Sequence, residues 1–160
     1  MTDRPKLTLE RTFQASIEEA WELWTTKAGI EAWWGPEGFS VAVRELDLRP
    51  GGSLVYEMTA TGPDQVDYVI KSGMPLTTVQ HVVYTQVEPP RRLAYRDTVD
   101  FVPGVAPYEV DSVIELHETD DGVRMVLTFE AMHDDHWTRM ATLGRESQFR
   151  RLEELLASRR

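Results

Sequence analysis

The stretch DDHWTRMATLGRESQFRRLEELLAS, Asp134 to Ser158, decides how the rest of the chain is read. Asp134 or Asp135 can cap a helix here, because a carboxylate oxygen accepts hydrogen bonds from the free amides of a first helical turn. Trp137, Met140 and Ala141 form an apolar stripe at the start of that helix, and Leu152, Leu155 and Leu156 form another near its end. Between them the same face carries Gly144, Ser147 and Gln148. A glycine inside a helix costs about 1 kcal/mol relative to alanine, so Gly144 requires a reason. Two readings stand. Either a sheet approaches the helix closely at Gly144, or the small and polar residues leave a cavity of the kind that small molecules occupy.

Working back from this helix, the apolar period is two rather than three to four. Leu7–Phe13, Phe39–Leu48, Ser53–Ala60, Thr78–Val87, Leu93–Val99, Tyr108–His117 and Val123–Ala131 read as strands. Arg49-Pro50-Gly51-Gly52 and Thr119-Asp120-Asp121-Gly122 read as hairpin turns. Pro63–Ser72 has a helical stripe of Val66, Val69 and Ile70, and Gly73-Met74-Pro75 ends it; it reads as a short helix or ordered loop inserted between strands and is a candidate lid. No alternation of strand and helix supports a parallel sheet. The expected architecture is α+β: a curved antiparallel sheet of about seven strands wrapped on the last helix, in one domain spanning residues 1–160.

Between the first two strands lie two short helices. Ser16 followed by Glu19 is a capping box, and Ile17, Ala20, Trp21 and Trp24 share a stripe. The first helix weakens at Thr25-Thr26, and the second runs from Lys27 to Trp34 into EAWWGPEGFSV, Glu31 to Val41. Two tryptophans beside a Gly-Pro-x-Gly break place a large apolar area next to a turn. The turn either closes over something or plugs the end of a core.

The chain has 160 residues, no cysteine and a net charge of −10. Without cysteine there are no disulfides, thiolate metal sites or cysteine nucleophiles, and a reducing cytoplasm is the expected location. The acidic balance disfavours nucleic acid and anionic membrane surfaces as partners. The arginine cluster Arg145, Arg150, Arg151, Arg159 and Arg160 alternates with glutamates and reads as a solvated helix face. The N-terminus lacks the apolar core of a signal peptide, and no apolar run is long enough to span a bilayer.

The chain carries no phosphate loop, dinucleotide fingerprint, nucleophile elbow or H-E-x-x-H helix, so no cofactor is expected. His133-Asp134-Asp135-His136 has metal-ligand chemistry, but its aspartates sit where a helix cap belongs, and no metal is expected. Glu57, His81, Asp97 and His117 are the candidate acids and bases; exposure is the default for each. A carboxylate turned into a cavity would have its pKa raised and could act as a base. The expected cavity wall comprises Trp33, Trp34, Tyr56, Met58, Tyr84, Tyr95, Phe129, Trp137, Met140, Gly144 and Gln148.

Four stretches carry a family resemblance: FQASIEEAWELWTTKAGIEAWWGPEGFSV (Phe13–Val41), DLRPGGSLVYEM (Asp47–Met58), VEPPRRLAY (Val87–Tyr95) and GRESQFRRLEELL (Gly144–Leu156). From about Leu7 to Leu156 the chain resembles single-domain bacterial proteins of the START-like superfamily, in the branch named for activators of the heat-shock chaperone ATPase. The resemblance implies a helix-grip fold, a hydrophobic cavity between sheet and helix, and closure of one end by the helices around Trp33-Trp34. Arg145 departs from the tryptophan that often follows the glycine of the last helix. The function expected is binding of a small apolar or amphipathic molecule without catalysis. An acid/base enzyme in the same cavity (a cyclase, dehydratase or hydrolase) and a chaperone-associated partner are the alternatives, and an exposed strand edge or the arginine-rich helix face could pair two copies.

Overall fold

The computed structural model describes residues 4–100 and 102–159, so Arg160 of the arginine cluster lies outside the described residues. Seven strands and four helices follow one another as β1 (Lys6–Phe13), α1 (Ile17–Thr25), α2 (Lys27–Trp33), β2 (Phe39–Leu46), β3 (Ser53–Ala60), α3 (Pro63–Lys71), β4 (Thr77–Glu88), β5 (Arg92–Val99), β6 (Tyr108–Thr119), β7 (Gly122–Glu130) and α4 (Asp135–Ser158). Strand β2 stops short of Leu48 because Asp47 and Arg49 belong to the turn, where Gly52 N–H donates to the Arg49 carbonyl at 2.8 Å.

The strands form one antiparallel sheet in the order β1-β7-β6-β5-β4-β3-β2. β1 and β2 are its two edges, so the segment between them must cross from one edge to the other. Helices α1 and α2 make that crossing, α1 against β6 and β7, α2 against β2 and α4. One extra residue in β2 (Arg44) and one in β4 (Thr85) shift the register. Such bulges bend a strand and increase its twist, which helps the sheet to curl. Its concave face buries Leu54, Val82, Leu93, Ile114, Met125 and Leu127 at alternating positions.

Local chemistry sets the helix ends. Ser16 Oγ accepts from Glu19 N at 3.0 Å and starts α1. Thr26 ends α1 and starts α2, its Oγ1 accepting from Gly29 N at 3.0 Å. A Cβ at Gly29 would stand 2.6 Å from the Glu22 carbonyl, so only glycine lets the two helices turn this tightly. Asp134 caps α4, accepting from Trp137 N at 2.8 Å.

Trp24, Trp33 and Trp34 meet edge to face, with Trp24 centroids 4.8 and 5.1 Å from the other two. Such pairs add roughly 0.5–1.5 kcal/mol each beyond the area they bury. Their polar edges are used: Trp33 Nε1 donates to the Leu23 carbonyl at 2.8 Å and Trp24 Nε1 to Met125 Sδ at 3.2 Å. The Gly-Pro turn that follows is clasped by α4. Gln148 Nε2 donates to the Trp34 carbonyl, and Arg151 Nη1 donates to the carbonyls of Gly35, Pro36 and Phe39. Ser147 Oγ accepts from Glu37 N at 2.8 Å.

These bonds make Arg151 structural rather than a member of a solvated arginine face. Replacing it by methionine keeps the stem and strands several carbonyls. We expect Arg151→Met to lower stability by about 1–3 kcal/mol, read in urea denaturation as a lower midpoint with an unchanged slope.

Candidate functional site

Between the concave sheet and α4 lies a cavity of about 200 Å³. Trp24, Trp33, Trp34 and Phe149 form its inner end. Tyr56, Met58, Tyr95, Asp97 and Phe129 line it from the sheet, and Gly144, Arg145 and Gln148 from α4. The space opens opposite Gly144. A Cβ placed there would meet a single neighbouring atom, Pro36 Cγ, at 4.0 Å. Close approach of sheet to helix therefore does not explain this glycine; the absence of a side chain leaves room.

Three residues expected in the wall lie elsewhere. Tyr84 points to the concave face but sits in the packed core beside the Gly51-Gly52 turn, with which its backbone exchanges two hydrogen bonds. Its buried hydroxyl has no partner among the described residues, and burial pushes its pKa up. Trp137, in the first turn of α4, packs on a separate cluster of Val99, Val102 and Val110. Met140 is rotated off the inward stripe and is 37% exposed; Ala141 faces the cavity in its place. The insert stands apart as well, since none of residues 63–76 lines the cavity.

The four candidate acids and bases separate by strand parity. Tyr56 and Met58 point inward, so Glu57 points outward, where it pairs with Arg44. His81, between inward Gln80 and Val82, is exposed, and so is His117 beyond buried Leu116. Asp97 follows Leu93 and Tyr95 on the inward face and lines the cavity with its side chain 27% exposed. Of the His-Asp-Asp-His run, Asp134 is the helix cap, and His133 Nδ1 lies 2.6 Å from the Tyr108 hydroxyl.

Asp97 has one charged neighbour across the cavity. Arg145 Nη2 stands 3.8 Å from Asp97 Oδ2, donates to Ser112 Oγ at 3.2 Å, and places its guanidinium carbon 4.5 Å from the centre of the Phe129 ring. Ser112 is fully buried. Burial pushes the Asp97 carboxyl up to about 6; Arg145 opposes the rise and Asp111 adds to it. Burial likewise raises the Tyr56 phenol, with Asp97 adding to the effect, and the Tyr95 phenol, with Arg145 opposing.

Asp97 is one of the expected candidates, whereas Trp24, Ser112 and Phe149 escape a reading of the sequence as site residues; strand alternation carries a signal for Asp97 and Ser112. Asp97 is the polar exception in Leu93-x-Tyr95-x-Asp97-x-Val99, and Ser112 is the exception in Val110-x-Ser112-x-Ile114-x-Leu116. Trp24 and Phe149 could be read as core but not as cavity wall, because that distinction depends on where the core stops.

A curved antiparallel sheet gripping a long helix, with a cavity between them, defines a helix-grip protein of the START-like class. The family model described as Activator of Hsp90 ATPase homolog 1-like protein matches residues 14–157, and the chain belongs to that family. Solved structures agree with the fold over nearly the whole chain. The AHSA1 protein from Silicibacter pomeroyi superposes with a TM-score of 0.77 at 21% identity, covering 98% of this chain and 100% of its own. A protein from Mycobacterium smegmatis gives 0.75 at 23% identity, covering 99% and 94%. One from Chromobacterium violaceum gives 0.75 at 21%, covering 94% and 96%. No curated protein matches the sequence. No helix among the described residues is long and apolar enough to cross a membrane.

Two measurements follow from this geometry. Since a methyl group at Gly144 meets open space, Gly144→Ala should raise stability by about 1 kcal/mol through helix propensity alone, seen as a higher denaturation midpoint. For Asp97 the sign is that of a raised carboxyl. The folded protein holds this proton more tightly than the unfolded chain, whose aspartate titrates near 3.9. The resulting stability is fully present below that value and is lost as pH rises through about 6. Asp97→Asn removes the titration, so its stability relative to wild type should increase between about pH 4 and about pH 7, measured by denaturant melts across that window.

Proposed function

We propose that this protein binds a small amphipathic molecule in the cavity between its sheet and α4. The observation that carries the reading is the space opposite Gly144, walled by aromatic rings and bearing a few polar groups on one side. Pockets of this composition suit ligands whose apolar body is buried while a few contacts fix its orientation. The size favours a compact molecule. An apolar cavity of about 150 Å³ accommodates benzene, so about 200 Å³ suits a single ring or a short chain. The cysteine-free composition accompanies a cytoplasmic assignment in the same reading.

Trp24, Trp33 and Trp34 line the site and report on it. Ring-sized ligands, or the molecule released into organic solvent from gently purified protein, should change tryptophan emission saturably and add mass in native mass spectra. Gly144→Leu should abolish both signals by filling the space, while Gly144→Ala should preserve them. Binding unchanged by leucine at this position would rule the cavity out as the site.

One observation favours a second reading: Asp97 is a carboxylate facing an apolar cavity, with a pKa of about 6. In an enzyme it would be the general base. Turnover of the captured molecule, lost in Asp97→Asn while capture persists, would establish this; capture without turnover leaves a binding protein. A chaperone partner, to which the family's name refers, would engage the exterior and is tested by association with a purified chaperone.

A further inference from the structure

The polar side of the cavity is built in a way that bears on what kind of molecule it accepts. Asp97 and Arg145 face each other at 3.8 Å, beyond hydrogen-bond length. Arg145 is held there by Ser112 Oγ and by the Phe129 ring beneath it. Asp97 is carried by β5 within a row of inward residues. Among the described residues its carboxylate receives no hydrogen bond. The two charges are thus fixed from opposite walls as a loose ion pair, and both residues line the cavity.

Such a pair discriminates by charge. An anion approaching Arg145 must lie beside Asp97, and a cation approaching Asp97 must lie beside Arg145. Either gains one attraction, meets one repulsion, and loses its hydration on entering an apolar site. A neutral group with a donor next to an acceptor avoids the conflict. Its N–H or O–H donates to Asp97, its C=O accepts from Arg145, and both bonds are charge-assisted. The flat aromatic walls then receive the ring that carries this edge.

We propose that the Asp97–Arg145 pair is the recognition element of the cavity and selects a neutral ring compound with adjacent donor and acceptor, of the amide, lactam or hydroxycarbonyl class, over the matching anion or cation. This rests on the cavity being a binding site. It also carries a pH dependence. The charges acting on Asp97 are Arg145 of α4, across the cavity, and Asp111 of β6, whose side chain lies on the outer face of the sheet paired with Arg96; Glu130 of β7 accepts from Asp111 N at 2.7 Å, and the phenols of Tyr56 from β3 and Tyr95 from β5 complete the surroundings of Asp97. When Asp97 takes up a proton, Arg145 loses its counter-charge and the site becomes attractive to carboxylates.

The test compares four probes of one size, toluene, benzamide, benzoate and benzylammonium, by tryptophan fluorescence and calorimetry. At about pH 7.5, where both partners are charged, benzamide should bind at least tenfold more tightly than benzoate or benzylammonium and more tightly than toluene. At about pH 5, where Asp97 is largely protonated and benzoate remains an anion, benzoate should gain severalfold. Asp97→Asn should give that gain at the higher pH, a gain of binding that a damaged fold would not produce. If the variant fails to fold, the wild-type order of the four probes decides. The proposal is overturned if benzoate or benzylammonium matches benzamide, or if acidification leaves benzoate unchanged. Toluene binding as well as benzamide would also overturn it while leaving the cavity a binding site. Binding of none of the four would remove both readings.

Discussion

The clasp of α4 on the Gly-Pro turn is the constraint on which the rest of this structure depends. Gln148, Ser147 and Arg151 bond five backbone groups of the turn: the carbonyls of Trp34, Gly35, Pro36 and Phe39 and the amide of Glu37. The turn breaks both helix and strand, so its carbonyls from Trp34 to Pro36 have no helix or strand ladder to join. Side chains from α4 satisfy them instead. This sets the position of α2, and with it the tryptophans that end the cavity. The two readings of the turn, closing over something or plugging a core, are therefore not exclusive. Trp33 is a plug, 1% exposed and bonded to Leu23, yet both tryptophans also present surface to the cavity.

The same helix is solid at its end and open in its middle. Leu152 and Leu156 are buried in the core, whereas Gly144 holds the sheet side open and Arg145 reaches across to it. Arg145 is the position where the sequence departs from the pattern it resembles. A tryptophan there would bring an apolar surface to the sheet; the arginine brings a cation, and its counter-charge is Asp97. The two residues, on β5 and α4, make the polar side of an otherwise aromatic space and give it its chemical character.

Most of the architecture was legible because strands and helices announce themselves by period. The seven strand runs, the Ser16 cap, the break at Thr25-Thr26 and the Asp134 start all follow from local chemistry. The site was legible only in part. Alternation says which residues of a strand share a face, but one cannot tell from a single strand which face is inward. For β3 the aromatic and methionine side chains settle it and exclude Glu57; for β5 the same logic admits Asp97, whose neighbours Leu93, Tyr95 and Val99 are all buried. Trp137 and Met140 were harder. An apolar stripe on a helix wider than the cavity contacts several things at once, and a small rotation sent Met140 to the surface and Trp137 to a second cluster. The reach of a long side chain such as Arg145 or Arg151 leaves no periodic trace at all.

The sheet order has a consequence for how the chain comes together in time. β1 borders the sheet only through β7, in a register running from Lys6 opposite Glu130 to Phe13 opposite Val123. Every other strand pairs with its neighbour in sequence. During synthesis at roughly 5–20 residues per second, the hairpins from β2 to β7 can close as they emerge. β1, though made first, has to wait for the last strand. The helices that cross the concave face can lay Trp34 on Tyr56 and Tyr95 once β3 and β5 have emerged, but Trp24 lacks Met125 until β7 arrives, and the tryptophans lack Phe149 and the clasp on the turn until α4 does. Vectorial synthesis therefore leaves the aromatic inner end, which closes last, as the part of this fold most in need of protection while it is being made.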